Sequence, residues 1–376
     1  MRQVSPLAAD AIEAGSFEAR LQLTAFYGAE VTLADVPVAS WSLSSEEGRD
    51  VPTVGTLDAV YVDEQGNSVT PRSFTDYLAP FGQEVLARLV IGDDEVLPLG
   101  RLRIIETPDS SDSNVLHGSR VITAASRVRL EVADLLDKVR HAGFTGPTSP
   151  RHQSCWAELA HLTGMRLARS VDDKTMPRIE YEISTDGRLK ACQEIAAHLG
   201  GTLYVRSDGA LTVLPKATGP VVRRIPVGGL RLSEMRRALS TDGIFNEVVG
   251  IFEDADRNPL WVPPERITSG PLSVDGPLGR RTRYLESRMV KDLDEARRTV
   301  RAALKESSTL ASVEIDVELV LDPRLEIGDT VQLERDDETL TGRITKAAHS
   351  PSKTSLTVAV TAMVPEPNLE RANAID

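Results

Sequence analysis

Residues Thr185 to Pro215 read TDGRLKACQEIAAHLGGTLYVRSDGALTVLP, and this stretch sets the character of the chain. Leu189, Cys192, Ile195, Ala196 and Leu199 recur at spacings of three and four, which puts them on one face of a helix that Thr185 or Asp186 can cap. Gly200 and Gly201 form the stop, because a residue without a Cβ accepts the positive φ that ends a helix. The period then changes to two. Thr202 to Arg206 and Ala210 to Leu214 are predicted strands around the turn Ser207-Asp208-Gly209. The helix face and the sheet face are both apolar and must cover each other, yet the unit holds no nucleophile, base or phosphate loop. It is architecture rather than chemistry.

A weaker copy precedes it. A shift of 37 positions lays Cys155, Ala160, His161, Leu162, Gly164, Arg169 and Ser170 on Cys192, Ala197, His198, Leu199, Gly201, Arg206 and Ser207. Duplication and the general similarity of helix-Gly-strand joints both account for this, and two copies do not make a solenoid.

Bulk properties narrow the field. A chain of 376 residues is long enough for two or three domains, each with its own core. Its 22 prolines and 26 glycines point to many turns and short strands. A net charge of −13 argues against tight nucleic-acid binding, which rests on neutralising phosphates with Lys and Arg. No apolar run reaches the roughly 18 residues that span a bilayer, and MRQVSPLAAD has no signal-peptide core, so synthesis and folding in the cytoplasm with no membrane anchor are expected. Cys155 and Cys192 lie on apolar helix faces and read as small buried hydrophobes, with a disulfide as the alternative.

The predicted fold class is mainly β with an α+β insertion. Residues 1–128 form a β-barrel-like domain with strands at Phe17 to Tyr27, Val31 to Leu33, Val36 to Trp41, Thr56 to Val62, Glu84 to Ile91, Gly100 to Ile105 and Arg120 to Ala125. Asp109 to Asn114 (DSSDSN) reads as a polar hinge or loop tip. Residues 129–218 form the α/β domain with its two helix-Gly-strand units, opened by a helical turn over Arg129 to Arg140 and carrying an extra strand at Ile179 to Ile183. Residues 219–311 hold strands such as Asn246 to Phe252, long loops over Pro259 to Gly279, and a helix (292–308) with Ala296, Val300, Ala303 and Leu304 on one side. Residues 312–363 are a C-terminal β-barrel-like segment, and 364–376 a polar tail.

The search for chemistry yields no phosphate loop, dinucleotide fingerprint, nucleophile elbow or zinc-protease helix. His152, Cys155, His161, Cys192 and His198 are residue types that zinc accepts, but their spacing matches no compact zinc pattern, and a His near a helix C-terminus is also a favourable charge. Glu46-Glu47, Asp93-Asp94-Glu95, Asp172-Asp173 and Asp336-Asp337-Glu338 could each serve as an acid/base pair or be solvated loop tips. Arg223-Arg224, Arg236-Arg237 and Arg280-Arg281 lack interleaved aromatics and read as intersubunit ion-pair partners or solubilising charges. No catalytic, cofactor-binding or metal-ligating residue is therefore assigned.

The run Tyr77-Leu78-Ala79-Pro80-Phe81-Gly82, followed by Val96-Leu97-Pro98-Leu99-Gly100-Arg101-Leu102-Arg103-Ile104, resembles the first domain of minor tail proteins of long-tailed bacteriophages. These are relatives of the tail hub found also in contractile injection systems and VgrG-type spikes. The helix-hairpin unit, Asn246-Glu247-Val248-Val249, the Asp292 helix and Leu325-Glu326-Ile327-Gly328-Asp329-Thr330-Val331 follow in the order expected of such a hub. The resemblance implies two similar barrels per chain and a homotrimer that places six barrels around a channel. Its implied partners are the distal tail or tube protein, the tape measure protein and a central spike or fibre. It implies a place at the virion tail tip, no sequence-specific nucleic acid and no enzymatic activity, and no wall-cutting domain is expected after the last β segment. An acidic channel wall would repel DNA in transit. Two alternatives from other classes are a cell-wall hydrolase and a host-surface carbohydrate-binding module with Trp41, Trp156 or Trp261 as platforms.

Overall fold

The computed structural model describes residues 1–15, 17–62, 68–92, 95–117, 120–226, 232–238, 244–253, 259–287, 290, 292–309, 312–334 and 339–361. The chain is mainly β. Six antiparallel strands, β1 (Ala19–Tyr27), β2 (Glu30–Glu46), β3 (Thr53–Tyr61), β4 (Gln83–Ile91), β5 (Glu95–His117) and β6 (Arg120–Asp134), run in the order β1-β4-β5-β6-β3-β2. Because β2 also pairs with β1, the sheet closes on itself and leaves no edge around its girth. Alternating side chains fill the inside, with Leu23, Leu57, Leu89, Leu102, Ile104 and Leu130 buried. The alternation survives local interruptions: the two short runs read at 31–33 and 36–41 are one strand, β2, with bulges in its pairing to β1.

Two readings of this region need correction. Asp109 to Asn114 is no hinge or loop tip; it lies within β5, paired with Arg129 to Thr123 of β6. Residues 129–134 are the end of β6, and only Leu136–Arg140 is helical (α2). The polar composition of the first segment and the charged alternation of the second both fit a strand with one face in water.

The α/β unit contains α2, α3 (Cys155–Thr163), α4 (Gly187–Leu199) and the hairpin β7 (Gly201–Val205) with β8 (Leu211–Pro215). Both longer helices stop on a left-handed glycine, Gly164 at φ 66° and Gly200 at φ 100°. Gly201 is a glycine for another reason. It opens β7 so close to its partner that a Cβ would stand 2.1 Å from the Leu214 carbonyl oxygen. The two stop glycines are 36 positions apart rather than 37, and the chain after Gly164 forms only a bridge, Leu167 to Leu211, running parallel to β8. Residues 179–183 form no strand. Asp186 occupies the α4 cap position without a side-chain cap bond, as it instead accepts from Ser184 and pairs with Lys190.

A third unit packs α5 (Leu293–Thr309) on a small sheet. Its central strand β11 (Glu247–Glu253) has β12 (Pro259–Trp261) and β13 (Glu265–Arg266) on one side and β14 (Thr282–Ser287), in parallel, on the other. Asp292 caps α5 by accepting the Glu295 N–H at 2.8 Å. Ala296, Val300 and Ala303 then bury against Val248, Phe252 and Val262.

The remaining strands, β9 (Val221–Pro226), β10 (Leu232–Ala238), β15 (Ser312–Val320), β16 (Thr330–Glu334), β17 (Thr339–His349) and β18 (Lys353–Thr361), form a second barrel-like array in the order β9-β16-β17-β18-β15-β10. It recruits β9 and β10 from before the third unit. Among the described residues it does not close. It joins the first barrel through backbone pairing of Leu43–Glu46 in β2 with Lys346–His349 in β17, so twelve strands share one sheet.

Candidate functional site

The groups that sequence reasoning singled out are dispersed over the fold. Cys155 and Cys192 are thiols not joined in a disulfide, buried in the helical core, where desolvation pushes the Cys192 thiol up to about 12. The rings of His152 and His161 meet edge-on at 5.5 Å. Among the described residues no three His, Cys, Asp or Glu gather in a metal-holding group. Glu158, wholly buried, accepts the N–H groups of Arg151 and His152 and the hydroxyl of Tyr181, while Arg188 donates to the carbonyls of Ala142 and Leu162. These polar groups close the α/β unit on itself.

The carboxylate pairs divide. Glu47 lies in the turn after β2 but is not solvated: it pairs with Arg343 of β17 and accepts the Thr202 hydroxyl of β7 at 3.0 Å, so one carboxylate joins the first barrel, the second array and the α/β unit. Asp172 and Asp173 lie at the surface, with Asp173 held below the usual carboxylate range by Ser154 and the N–H groups of Trp156 and Lys174, against some desolvation. Residues 93–94 and 336–338, like the tail over 364–376, lie outside the described residues. Of the tryptophans, Trp41 and Trp156 are core and Trp261 is 74% exposed. Arg223 is an intrachain ion-pair partner, bound to Glu13.

That last pair belongs to a strap missed by sequence reasoning. Ser5, Pro6 and Gly15 are a cap, a first-turn proline and a stop around the helix α1 (Pro6–Ala14), a legible signature. Ile12 enters the first barrel's core, whereas Glu13 reaches Arg223 and Arg324 of the second half. The N-terminal amino group pairs with Asp329, Arg2 with Glu326, and Arg2 N–H donates to the Arg324 carbonyl. The Leu325-to-Asp329 turn is therefore the dock for the N-terminus. Beside it Arg324 grips Asp322 with two parallel bonds of 2.9 and 2.8 Å, both side chains buried. A buried pair of this kind fixes one arrangement more than it adds stability.

Two exposed aromatic rings meet on the loop before β4. Phe74 and Phe81 stack edge-to-face at 4.4 Å and are 70% and 54% exposed, with Tyr77 beside them in sequence. Their loop wraps the root of the β5–β6 hairpin. Asp112 accepts from Ser68 at 2.6 Å, Thr70 at 2.7 Å, Ser126 at 2.7 Å and Arg72 at 3.1 Å, and these donors hold its carboxyl down at about 2. Thr107 donates to the Leu78 carbonyl. The third unit exposes Ile251, Trp261 and Tyr284 on the sheet face opposite α5. No helix among the described residues is long and apolar enough to cross a membrane.

No protein-family model and no curated protein matches the sequence. Solved structures do. The tail protein from Neisseria meningitidis superposes with a TM-score of 0.61 at 11% identity, covering 90% of this chain and 96% of that one. A 43 kDa prophage tail protein from Shewanella oneidensis gives 0.57 at 13% identity over 90% and 98% of the two chains. A prophage tail protein from Listeria monocytogenes gives 0.50 at 12% identity over 90% and 94%. The chain therefore has the fold of these tail proteins.

Proposed function

We propose that the chain is a structural hub of a phage-type tail tip, assembling as a homotrimeric ring between a six-fold tail tube or distal tail ring and a three-fold spike or fibre. The observation that carries this reading is the pairing of a closed barrel with a second barrel-like array in one chain, locked by β2 and β17. Three copies then present six such units. The tail-protein fold and the exposed aromatic pair Phe74 and Phe81 support a role in assembly rather than catalysis. Its partners would be the tube or distal tail protein, the tape measure protein and the spike, and its place the virion tail.

Light scattering on the purified protein, followed by co-purification with candidate tube-side and spike proteins from the same source, tests the reading. A mass near three times 40.9 kDa and a complex with the tube-side protein are expected; a monomer that joins no tail component overturns it. A second reading, contact with a polysaccharide, is favoured by Trp261 and Tyr284 on one open sheet face. Loss of glycan retention in Trp261→Ala would support it.

A further inference from the structure

The third unit turns one face of its sheet to α5 and the other outward. Along β11 the side chains alternate: Val248 and Phe252 are buried in the cluster beneath α5, whereas Ile251 is 50% exposed. The strand register carries the outward row across the sheet. Ile251 stands opposite Trp261 of β12 on one side and level with Glu286 of β14 on the other, and Val249 is level with Tyr284. Trp261 and Tyr284 are 74% and 66% exposed, and Glu286 is exposed as well. At the next outward position Glu247 binds Arg266 and accepts the Thr282 hydroxyl at 2.7 Å, so the face ends in a polar corner.

Spacing and area restrict what this face can hold. Trp261 and Tyr284 flank β11 two residues out of step, so strands about 4.8 Å apart and a rise of about 3.3 Å per residue put their Cα atoms about 12 Å apart. One sugar ring cannot lie on both side chains, but a chain of sugars can. An extended β-1,4-linked glycan turns each ring over relative to the last, so alternate rings present the same face to one side. The area is too small for a protein partner. An aromatic side chain buries roughly 150–250 Å², and two of them with Ile251 and Val249 fall short of the roughly 800 Å² per partner that a stable protein interface takes. Trp and Tyr also join a flat apolar face to a polar N–H or O–H edge. That combination suits a sugar, which has C–H groups on its faces and hydroxyls around its rim.

We infer that the outer face of β12-β11-β14 is a two-platform site for a β-1,4-linked glycan of three or more sugars. Trp261 lies under one ring and Tyr284 under the next but one, with Glu286 at the side to accept hydroxyl hydrogen bonds. The inference rests on the polysaccharide reading of this face and is independent of the ring-forming hub.

The test titrates the full chain with glucose and with N-acetylglucosamine, each as the monomer and as the β-1,4-linked hexamer. Calorimetry measures affinity, and tryptophan fluorescence reports on Trp261, because Trp41 and Trp156 are core. One hexamer is expected to bind about 100-fold tighter than its monomer, since the second platform acts within the same complex, and to shift the fluorescence to the blue. Trp261→Ala and Tyr284→Ala, both at exposed positions, should keep the thermal midpoint and each weaken the hexamer about tenfold. A hexamer bound no tighter than its monomer, or unaffected by Tyr284→Ala, overturns the two-platform site and leaves polysaccharide contact in place. Binding of neither series overturns the inference. If insoluble chitin, cellulose and peptidoglycan also fail to retain the chain, the polysaccharide reading falls with it. Shielding of Trp261 from acrylamide by a tail protein, and by none of the glycans, assigns the face to a protein and likewise overturns the inference.

Discussion

Replacing Asp112 by Ala removes the acceptor that ties the loop over 68–72 to the β5–β6 hairpin, and two routes give the same magnitude. In the first, three hydroxyls and one guanidinium converge on the carboxylate at 2.6 to 3.1 Å. A hydrogen bond to a charged group contributes about 1.5–3 kcal/mol, but four bonds to one carboxylate do not add, and the freed hydroxyls regain water, so about 2 kcal/mol is a reasonable net loss. In the second, the carboxyl's fall from 3.8 to about 2 corresponds to about 2 kcal/mol at about 1.4 kcal/mol per pH unit. The folded-state value lies below the unfolded one, so this stability is complete above pH 4 and disappears as the pH falls through about 2. Urea unfolding at pH 7 should place the variant about 1–2 kcal/mol below the wild type, allowing for partial solvent screening. At pH 2 the gap should shrink by at least half. An equal gap at both pH values, or none at pH 7, would refute the assignment of a charged clamp.

Three other outcomes follow from the same kind of argument. Burial raises the Asp134 carboxyl to about 7, despite accepted N–H groups from Thr53 and Leu136; the folded state therefore holds a proton that the unfolded state has lost. Wild-type stability should fall by about 2–4 kcal/mol as pH rises from 4 to 7, relative to Asp134→Ala, whose slope lacks this component; parallel pH profiles would exclude it. His349 acts in the opposite sense, since burial holds its ring down at about 3, with Nε2–H donating to the Leu325 carbonyl. Lowering the pH from 6.5 toward 3 should cost the wild type on the order of 3 kcal/mol more than His349→Gln, measured by the same unfolding series. Gly201→Ala should destabilise the α/β unit by about 1–3 kcal/mol, because the new methyl meets the Leu214 carbonyl and Val213; an unchanged thermal midpoint would show that β7 and β8 can separate freely.

Much of this fold was legible because its signals are local. The period-three-and-four stripe of α4, the acidic start of α5 at Asp292, and strands β4 and β11 stand within a residue or two of where alternation and spacing place them. What escaped was set by distant partners. The polar run 109–114 is a strand because β6 lies beside it and Asp112 finds donors on another loop, and neither fact is encoded in nearby residues. Gly200 and Gly201 look alike in sequence, yet one serves a left-handed turn and the other a close backbone approach. Glu47 lies in a stretch that reads as a surface turn, and only folding brings Arg343 and Thr202 to it. The α1 strap was a different kind of miss, since its cap, proline and stop were all present.

The seam between β2 and β17 bears on how much sequence change the fold tolerates. Leu43–Glu46 and Lys346–His349 meet through peptide groups, which every non-proline residue carries in the same form. The angle between the two halves is thus specified by atoms that substitution leaves untouched, while side chains need only keep their inside-outside alternation. Sequences that differ at nearly every position can therefore take up one such geometry. Tail proteins sharing only 11–13% of residues with this chain nevertheless superpose over 90% of it.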